Sequence, residues 1–495
     1  MPTLDRRSFL QASGAAALAG ALPARLVRDP FAPLLAPART DIVRVRGRVA
    51  VAGRGVPAVA VSDGVSVVRT ARDGTFTLLA DRAQPFVFVT TPAGCATPTS
   101  ATGTAAFSAP LVPDARGEMT ADFGLTRIEG SDNAHGFLVL TDPQTQNMFE
   151  IGRLHAETVP DVSATARALG DIPVFGVACG DIMYDDLSLF PEYERAVAAM
   201  GLPFYQVVGN HDLVYAARTD EGANATFSRH FGPAYYSFDR GEVHYVVLDD
   251  VFWYGNAYLG YLDARQLEWL RADLAGLEPG RTVVVFQHIP PLATGDLRTG
   301  ATTPGRGSSV MNREALYRLL EPYRSTLISG HTHEHERHGE GGARHHVTGT
   351  VCGAWWSGDI CWDGTPSGYG VYEVSGSELR WRYKATGQPD DHQLRVYAPG
   401  ADPKAPDDVI ANVWDADDTW TVVWYENGER RGRMSRRLGL DPRAVAEQTG
   451  ADKPPRRGWV EPALTGHLYY APVTPGATVL VEATDGWGRV YTGRV

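Results

Sequence analysis

The sequence is short of three things. It has only 4 cysteines in 495 residues (Cys95, Cys179, Cys352 and Cys361), which excludes a scaffold built on disulfides. Cys352 and Cys361 flank Gly-Ala-Trp-Trp-Ser-Gly-Asp-Ile, so a bridge between them is one expectation and two free thiols the other. Cys179, inside an apolar run, reads as a buried structural thiol. No stretch approaches the roughly 20 apolar residues of a membrane helix, so no transmembrane segment is expected. Positive charge is also scarce. With 46 Lys and Arg against 58 Asp and Glu, the net charge of -12 argues against a nucleic-acid scaffold as partner, because phosphate backbones are held by basic surfaces. What is plentiful is core material: 43% hydrophobic and 10% aromatic residues imply folded domains, and the length implies two to four of them.

The N-terminus reads Asp5-Arg-Arg-Ser-Phe-Leu10, then an Ala/Gly/Leu-rich run to about Leu22, then Pro23-Ala24. Paired arginines before a short, weakly apolar run resemble a twin-arginine export signal. Residues 1–24 are therefore expected to be a signal peptide cleaved near Ala24, with 25–40 a proline-alanine linker. The mature protein is expected in the periplasm, at the cell surface or outside the cell. Residues 41–125 are short alternating strands split by Gly, Asp and Pro turns, a pattern expected to form a small β-sandwich. Within it, Arg72 to Leu78 resembles a carboxypeptidase-regulatory or transthyretin-like repeat, whose expected job is spacing or attachment.

Residues 131–395 change rhythm. Apolar runs at Gly136–Thr141, Pro173–Ala178, Phe204–Val208, Tyr245–Leu248, Thr282–Phe286 and Thr326–Ser329 have the length of buried strands. Helical patterns at Asp161–Leu169, Pro191–Met200, Asp263–Leu274 and Asn312–Leu320 lie between them. Ser237 to His244 reads as a hairpin. The expected class is α/β, with helices covering the sheets. Residues 396–495 return to β periodicity as a C-terminal β domain, interrupted by a basic segment from Glu429 to Pro455 expected to be a helical or irregular insertion.

Polar residues follow the strands at once: Asp142-Pro-Gln144, Gly180-Asp181 with Asp185, Gly209-Asn210-His211-Asp212, Gln287-His288, and Gly330-His331-Thr-His333. Ligands of open α/β sheets bind beyond the carboxyl ends of the strands, so these segments are expected to converge on one crevice. Asp142 and Asp181, Gln144 and Asn210, and the imidazoles of His211, His288, His331 and His333 gathered there point to a dinuclear metal site. His-x-His on an extended segment puts both rings on one side of the chain.

Residues 135–385 thereby resemble a calcineurin-like metallophosphoesterase, whose ordered motifs are D-x-H, G-D-x(n)-D, G-N-H-D/E, H and G-H-x-H. The chain resembles exported bacterial multidomain members that carry Asp-Pro-Gln as the first motif. The resemblance implies a double β-sandwich flanked by helices, with small all-β domains on both sides. It implies one metal held by Asp142, Gln144, Asp181 and His333, and a second held by Asp181, Asn210, His288 and His331, with Asp181 bridging. The ions it implies are divalent or trivalent, drawn from Mn, Fe, Zn or Mg. Gln144 stands where most members have His, so it either ligates through its amide oxygen or only hydrogen-bonds. The implied activity is hydrolysis of a small-molecule, lipid or sugar phosphate mono- or diester by water attack. His211 is expected to assist the leaving group, with Asp212 and Asp185 orienting it.

Other features leave alternatives open. His335, His338, His345 and His346 flank Glu340-Gly-Gly-Ala343 and are expected to be solvated on a polar hairpin. Trp355 and Trp356 either grip substrate or pack a core, and Gly295 to Ser309 is either a lid or only a long loop. The alternative function is a non-catalytic cell-surface binding protein on the same fold. A metal-dependent amidohydrolase is disfavoured because its His-x-His follows an early strand rather than the last.

Overall fold

The computed structural model describes residues 42–495 apart from 451, 452, 454 and 455. The expected signal peptide and linker lie outside them. The centre is a pair of face-to-face sheets. One runs in the order Phe204–Val207, Val174–Cys179, Ala134–Leu140, Gly368–Ser375, Glu378–Ala385, its first three strands parallel and the last two antiparallel. The other runs Tyr236–Arg240, Val243–Val247, Thr282–Phe286, Arg324–Ser329, Ala343–Val347, Glu336–Glu340, with a parallel interior and an antiparallel strand at each edge.

The faces meet through aromatic rings. Phe137 stacks on Tyr372 and Phe175 of its own sheet at 4.5 and 5.3 Å, and Tyr245 and Phe286 come from the opposite sheet at 5.6 and 5.7 Å. Such contacts add about 0.5–1.5 kcal/mol each beyond their buried area. Helices Val159–Ala168, Phe190–Met200, Ala264–Leu274 and Arg313–Leu320 cover the outer faces and match the helical patterns of the sequence. The third starts as its residues require, the Asp263 carboxylate accepting from Gln266 N at 2.6 Å.

Residues 42–127 form two small sheets, but they are not a detached spacer. Their core runs without a break into that of the central sheets. Ala105 N donates to Phe204 O at 2.8 Å and Asp239 N to Thr91 O at 2.8 Å, so N-terminal loops satisfy the exposed edges of both central sheets.

Two further sheets at 395–494 close on a core of Val409, Ala411, Val422, Val481 and their neighbours. The basic segment is not an irregular insertion. Glu429–Arg433 and Ser435–Leu440 are edge strands of these two sheets, followed by a helix at Pro442–Gln448. Arginine-rich edges satisfy strand geometry while repelling further pairing.

The histidines around the 340–343 hairpin correct the expectation of solvated strands. His335, His345 and His346 are buried, and only His338 is partly open. His335 Nε2 meets Asp415 Oδ1 at 3.0 Å, and Arg337 Nε donates to the same oxygen at 2.8 Å. A carboxylate from the C-terminal sheets thus enters the interior with its partners. All four cysteines are buried free thiols, so Cys352 and Cys361 do not bridge.

Candidate active site

The ends of both central sheets deliver the expected residues to one place. Asp142, Gln144, Asp181, His331 and His333 each have positive φ, between 42° and 71°, a left-handed conformation that non-glycine residues rarely adopt. This strain, concentrated in the turns just after strands, is the pattern of backbone held for function. Close approach is built in by glycine. A Cβ on Gly209 would lie 1.9 Å from Asp181 N, and one on Gly330 would lie 2.2 Å from Asp142 Oδ2.

Three imidazoles are fixed the same way. His288 Nδ1 is tied to Cys179 O at 2.9 Å, His331 Nε2 to Gly307 O at 2.8 Å, and His333 Nδ1 to Gly353 O at 2.7 Å. A carbonyl only accepts, so each of these nitrogens carries a proton, and in the neutral ring the other presents a lone pair. The free ends point inward. His288 Nε2 lies 3.1 Å from His331 Nδ1, 3.1 Å from Asn210 Oδ1 and 3.2 Å from Asp181 Oδ1. His333 Nε2 lies 3.6 Å from Asp142 Oδ1 and has no hydrogen-bond partner. Lone pairs and carboxylates facing one another in a buried space need a cation. Ligand atoms of Asp181, His288 and His331 all fall within 4.8 Å of one another, as metal binding requires.

Electrostatics carry the same message. Burial lowers the His288 pKa, but the Asp181 and Asp142 carboxylates outweigh it and raise it to about 10, a proton doing what a metal would do. Burial, aided by His288, drops His331 to about 3. Burial raises Asp142 to about 8, and the neighbouring Asp181 adds to the rise. Burial works against Asp181 as well, yet His288 and His211 hold it well below the usual carboxylate range.

Gln144 lies against Asp181. Its Nε2 donates to Asp181 Oδ2 at 2.9 Å, while Oε1 faces Cys352 Sγ at 3.9 Å. Asp181 Oδ1 accepts from His211 N at 2.9 Å. His211 projects beside this centre, its Nδ1 2.6 Å from Asp185 Oδ1 and its ring on Tyr184. Burial depresses the His211 pKa, but Asp181 and Asp185 raise it on balance. Asp212 does not face the cleft as a reacting group. Its buried carboxylate accepts from Ile182 N, Met183 N and Gly209 N at 3.1, 2.9 and 2.9 Å, lacing the Asp181 turn to the Asn210 turn.

Several participants escaped the sequence. Asp250 accepts from His288 N at 3.2 Å, Ile289 N at 3.1 Å and Gln287 Nε2 at 2.8 Å. Its position just after the apolar Tyr245–Leu248 run was the available signal. Tyr215 Oη donates to Asp185 Oδ1 at 2.7 Å. Trp355 stacks on His333 at 3.9 Å and meets Trp459, and Trp356 Nε1 donates to Pro143 O at 2.8 Å, so both tryptophans brace ligand turns. The C-terminal stretch also reaches the site, with Arg457 over the Tyr184 ring at 4.8 Å. Beside His331 opens a cavity of about 420 Å³ lined by Asp296, Arg298, Trp355, Trp362, Leu440 and Leu464. Gly295 to Ser309, one wall of it, is anchored rather than free: Arg298 pairs with Glu334 and Glu336, and Asp296 accepts from Gly305 N at 2.7 Å.

Comparison with known proteins agrees with this geometry. Residues 136–335 match the family described as calcineurin-like phosphoesterase, and 43–128 and 345–491 match its N-terminal and C-terminal companions. Residues 3–23 match a twin-arginine translocation pathway signal sequence. A serine/threonine-protein phosphatase CPPED1 from Danio rerio is 30% identical over 220 residues, 40% of this chain and 69% of that protein. Purple acid phosphatase 15 from Arabidopsis thaliana is 30% identical over 148 residues, and the match spans 28% of this chain and only 25% of the plant protein. Among solved structures, GAP50, the anchor in the inner membrane complex of Plasmodium, aligns with 51% of this chain and 84% of its own at 15% identity, with a TM-score of 0.35. The chain belongs to the calcineurin-like phosphoesterase family.

Proposed function

We propose that the protein is an exported metal-dependent hydrolase of a phosphate mono- or diester. The observation that carries this reading is the set of three imidazoles, each with one nitrogen on a backbone carbonyl, of which His288 turns its other nitrogen onto Asp181, His333 onto Asp142, and His331 onto His288 Nε2. The family implies divalent metal ions, and this donor set fits them. Asp181, Asn210, His288 and His331 would hold one ion, and Asp142, His333 and the shared Asp181 a second. Gln144 would keep Asp181 in place or turn its oxygen inward as a ligand. Bound there, two ions would polarise a phosphoryl group and lower the pKa of a nearby water.

The chain's own groups would supply the rest. Asp185 and Tyr215 orient His211, whose Nε2 then faces the leaving oxygen and gives it a proton. The cavity beside His331 would take the organic part of the ester, with Trp355 and Trp362 as its flat walls. Arg6-Arg7, within the matched signal, would direct the folded protein out of the cytoplasm, with cleavage near Ala24.

A nitrophenyl phosphate monoester and the corresponding diester test the activity, assayed after chelation and after reloading with Mn. The reading expects turnover of at least one ester that chelation abolishes and Mn restores, and that His288→Ala removes. Metal uptake without turnover of either ester would favour the binding-protein alternative.

A further inference from the structure

The C-terminal stretch returns to the cleft at residues 456–460 and brings a pair of guanidinium groups with it. Both meet Glu150, a buried carboxylate on the Met148–Arg153 helix. One Glu150 oxygen accepts from Gln146 N at 2.6 Å. The other accepts from Arg456 Nε at 3.1 Å and from Arg457 Nη2 at 3.3 Å. Arg457 Nη2 also donates to Gln146 Oε1 at 2.9 Å. A buried carboxylate cannot be left unmatched, so this group of side chains is fixed in place. Arg457 is held there with φ at 60°, in the left-handed region that non-glycine residues occupy only when their surroundings impose it.

The Arg457 guanidinium covers the Tyr184 ring at 4.8 Å. Val460, three residues on, belongs to the apolar cluster against which Tyr184 also packs. The backbone of Tyr184 is tied to the loop that carries Gln146, its N donating to Thr145 O at 2.9 Å. The phenol in turn stacks on the imidazole of His211.

His211 needs such a support. Asp185 meets its Nδ1 at 2.6 Å and so fixes one corner of the ring. A ring held at one corner can still rock, whereas proton transfer from Nε2 requires the N–H to point along the line to its acceptor. A flat aromatic contact on the ring face removes that freedom.

On the reading of His211 as proton donor to the leaving oxygen, we propose that Arg457 and Tyr184 are its positioning residues. Arg457, clamped to Glu150 and Gln146, holds the Tyr184 ring against His211 and so sets the direction of Nε2. The C-terminal domain thereby takes part in the reaction geometry, although it supplies none of the expected metal ligands.

Arg457→Met and Tyr184→Leu in the full-length protein test the clamp, with a nitrophenyl ester and the n-butyl ester of the same phosphate class as substrates. Nitrophenolate departs without a proton and butoxide does not. Each variant should lose about tenfold in kcat on the butyl ester, a share of the ~10²–10⁴-fold that a proton donor supplies, and less than about twofold on the nitrophenyl ester. In a His211→Ala background neither substitution should cost anything further. Arg457→Lys, which keeps a cation over the ring, should recover part of the loss. A second readout needs no turnover. The His211 Cε1–H resonance of metal-free protein labelled with ¹³C-histidine, identified by its absence in His211→Ala, should carry the shift of a ring stacked on tyrosine and lose it in both variants. Equal losses on the two esters or none on either, a further loss in the His211→Ala background, a change in KM with kcat intact, or an unmoved resonance would each overturn the clamp. If the parent turns over neither ester, the functional reading fails, while the resonance still decides the clamp.

Discussion

The imidazole of His211 lies flat against the phenol ring of Tyr184, centroids 4.5 Å apart and planes 15° from parallel. The far side of that stack is Arg457. One aromatic ring therefore separates the proposed proton donor from the turn that carries Arg457, between the Pro442–Gln448 helix and the Leu464–Pro472 strand, and Asp185 and Tyr215 hold its other edge. His211→Ala should keep its metals, because no ligand is removed, and lose about 10²–10⁴-fold in turnover of an ester with a poor leaving group. Metal content by mass spectrometry, set beside kcat, checks this. A variant as fast as the parent removes His211 from the chemistry.

Metal loading should be visible in thermal melts. At an ion concentration of about 100 times Kd, binding to the native state adds about 2.7 kcal/mol, so Mn should raise Tm and chelation reverse it. The Asp142–His333 side offers one imidazole against two on the Asp181–His288–His331 side. Stepwise chelation followed by anomalous diffraction should find the Asp142 side emptied first. Equal loss from both sides would contradict this ordering.

Gly330→Ala should break the site without touching a ligand. Its Cβ would fall 2.2 Å from Asp142 Oδ2, inside any permitted contact, so Asp142 must move. Metal retention after dialysis is the readout, and full retention would show that the turn adapts.

A charged triad sets a pH limit on the fold. His244 is buried with Nδ1 2.8 Å from Asp239 Oδ1 and Nε2 3.0 Å from Asp273 Oδ2. Burial works against its charge, but Asp273 and Asp239 prevail and lift the pKa to about 10. A raised folded-state value means the native state holds the proton more tightly than the unfolded chain does. The stabilisation is complete below about pH 6.5, the unfolded value, and disappears as pH rises through about 10. Urea unfolding from pH 6 to 10 should show this decline, and His244→Asn should flatten it while costing about 3–5 kcal/mol at pH 6. Parallel profiles would exclude the triad as the cause.

The N-terminal sheets should prove indispensable to folding. Phe107 is buried and packs at a tilt on Tyr236, centroids 4.2 Å apart, so Phe107→Ala should cost about 3–5 kcal/mol. A chain starting near Ser131 should aggregate or melt without a cooperative transition. A soluble truncation with the parent's Tm would show the shared core to be dispensable.

The site was legible in the sequence because its chemistry clings to strand ends. Asp142, Asp181, Asn210, His288 and His331 each come within a few residues of an apolar run, and alternation plus topology then bring them together. The supporting cast was not legible. Tyr184, Trp355 and Trp459 have the composition of core residues, and only their stacking on His211, on His333 and on one another reveals what they do. The burial of His335 depended on Asp415, a partner 80 positions away. The shared N-terminal core arises from loops meeting sheet edges, a contact with no local periodicity to announce it.

The strand Ala134–Leu140 lies between Val174–Cys179, an early neighbour, and Gly368–Ser375, a late one. More than two hundred residues must be made before its second edge is covered, and until then an apolar ribbon stands open to other chains. Loop closure over such a span slows the search, so this sheet forms after most of the chain has left the ribosome. A chain that completes its sheet so late gains from a translocation route that waits for folded cargo, and is exposed to aggregation wherever export would have to begin sooner.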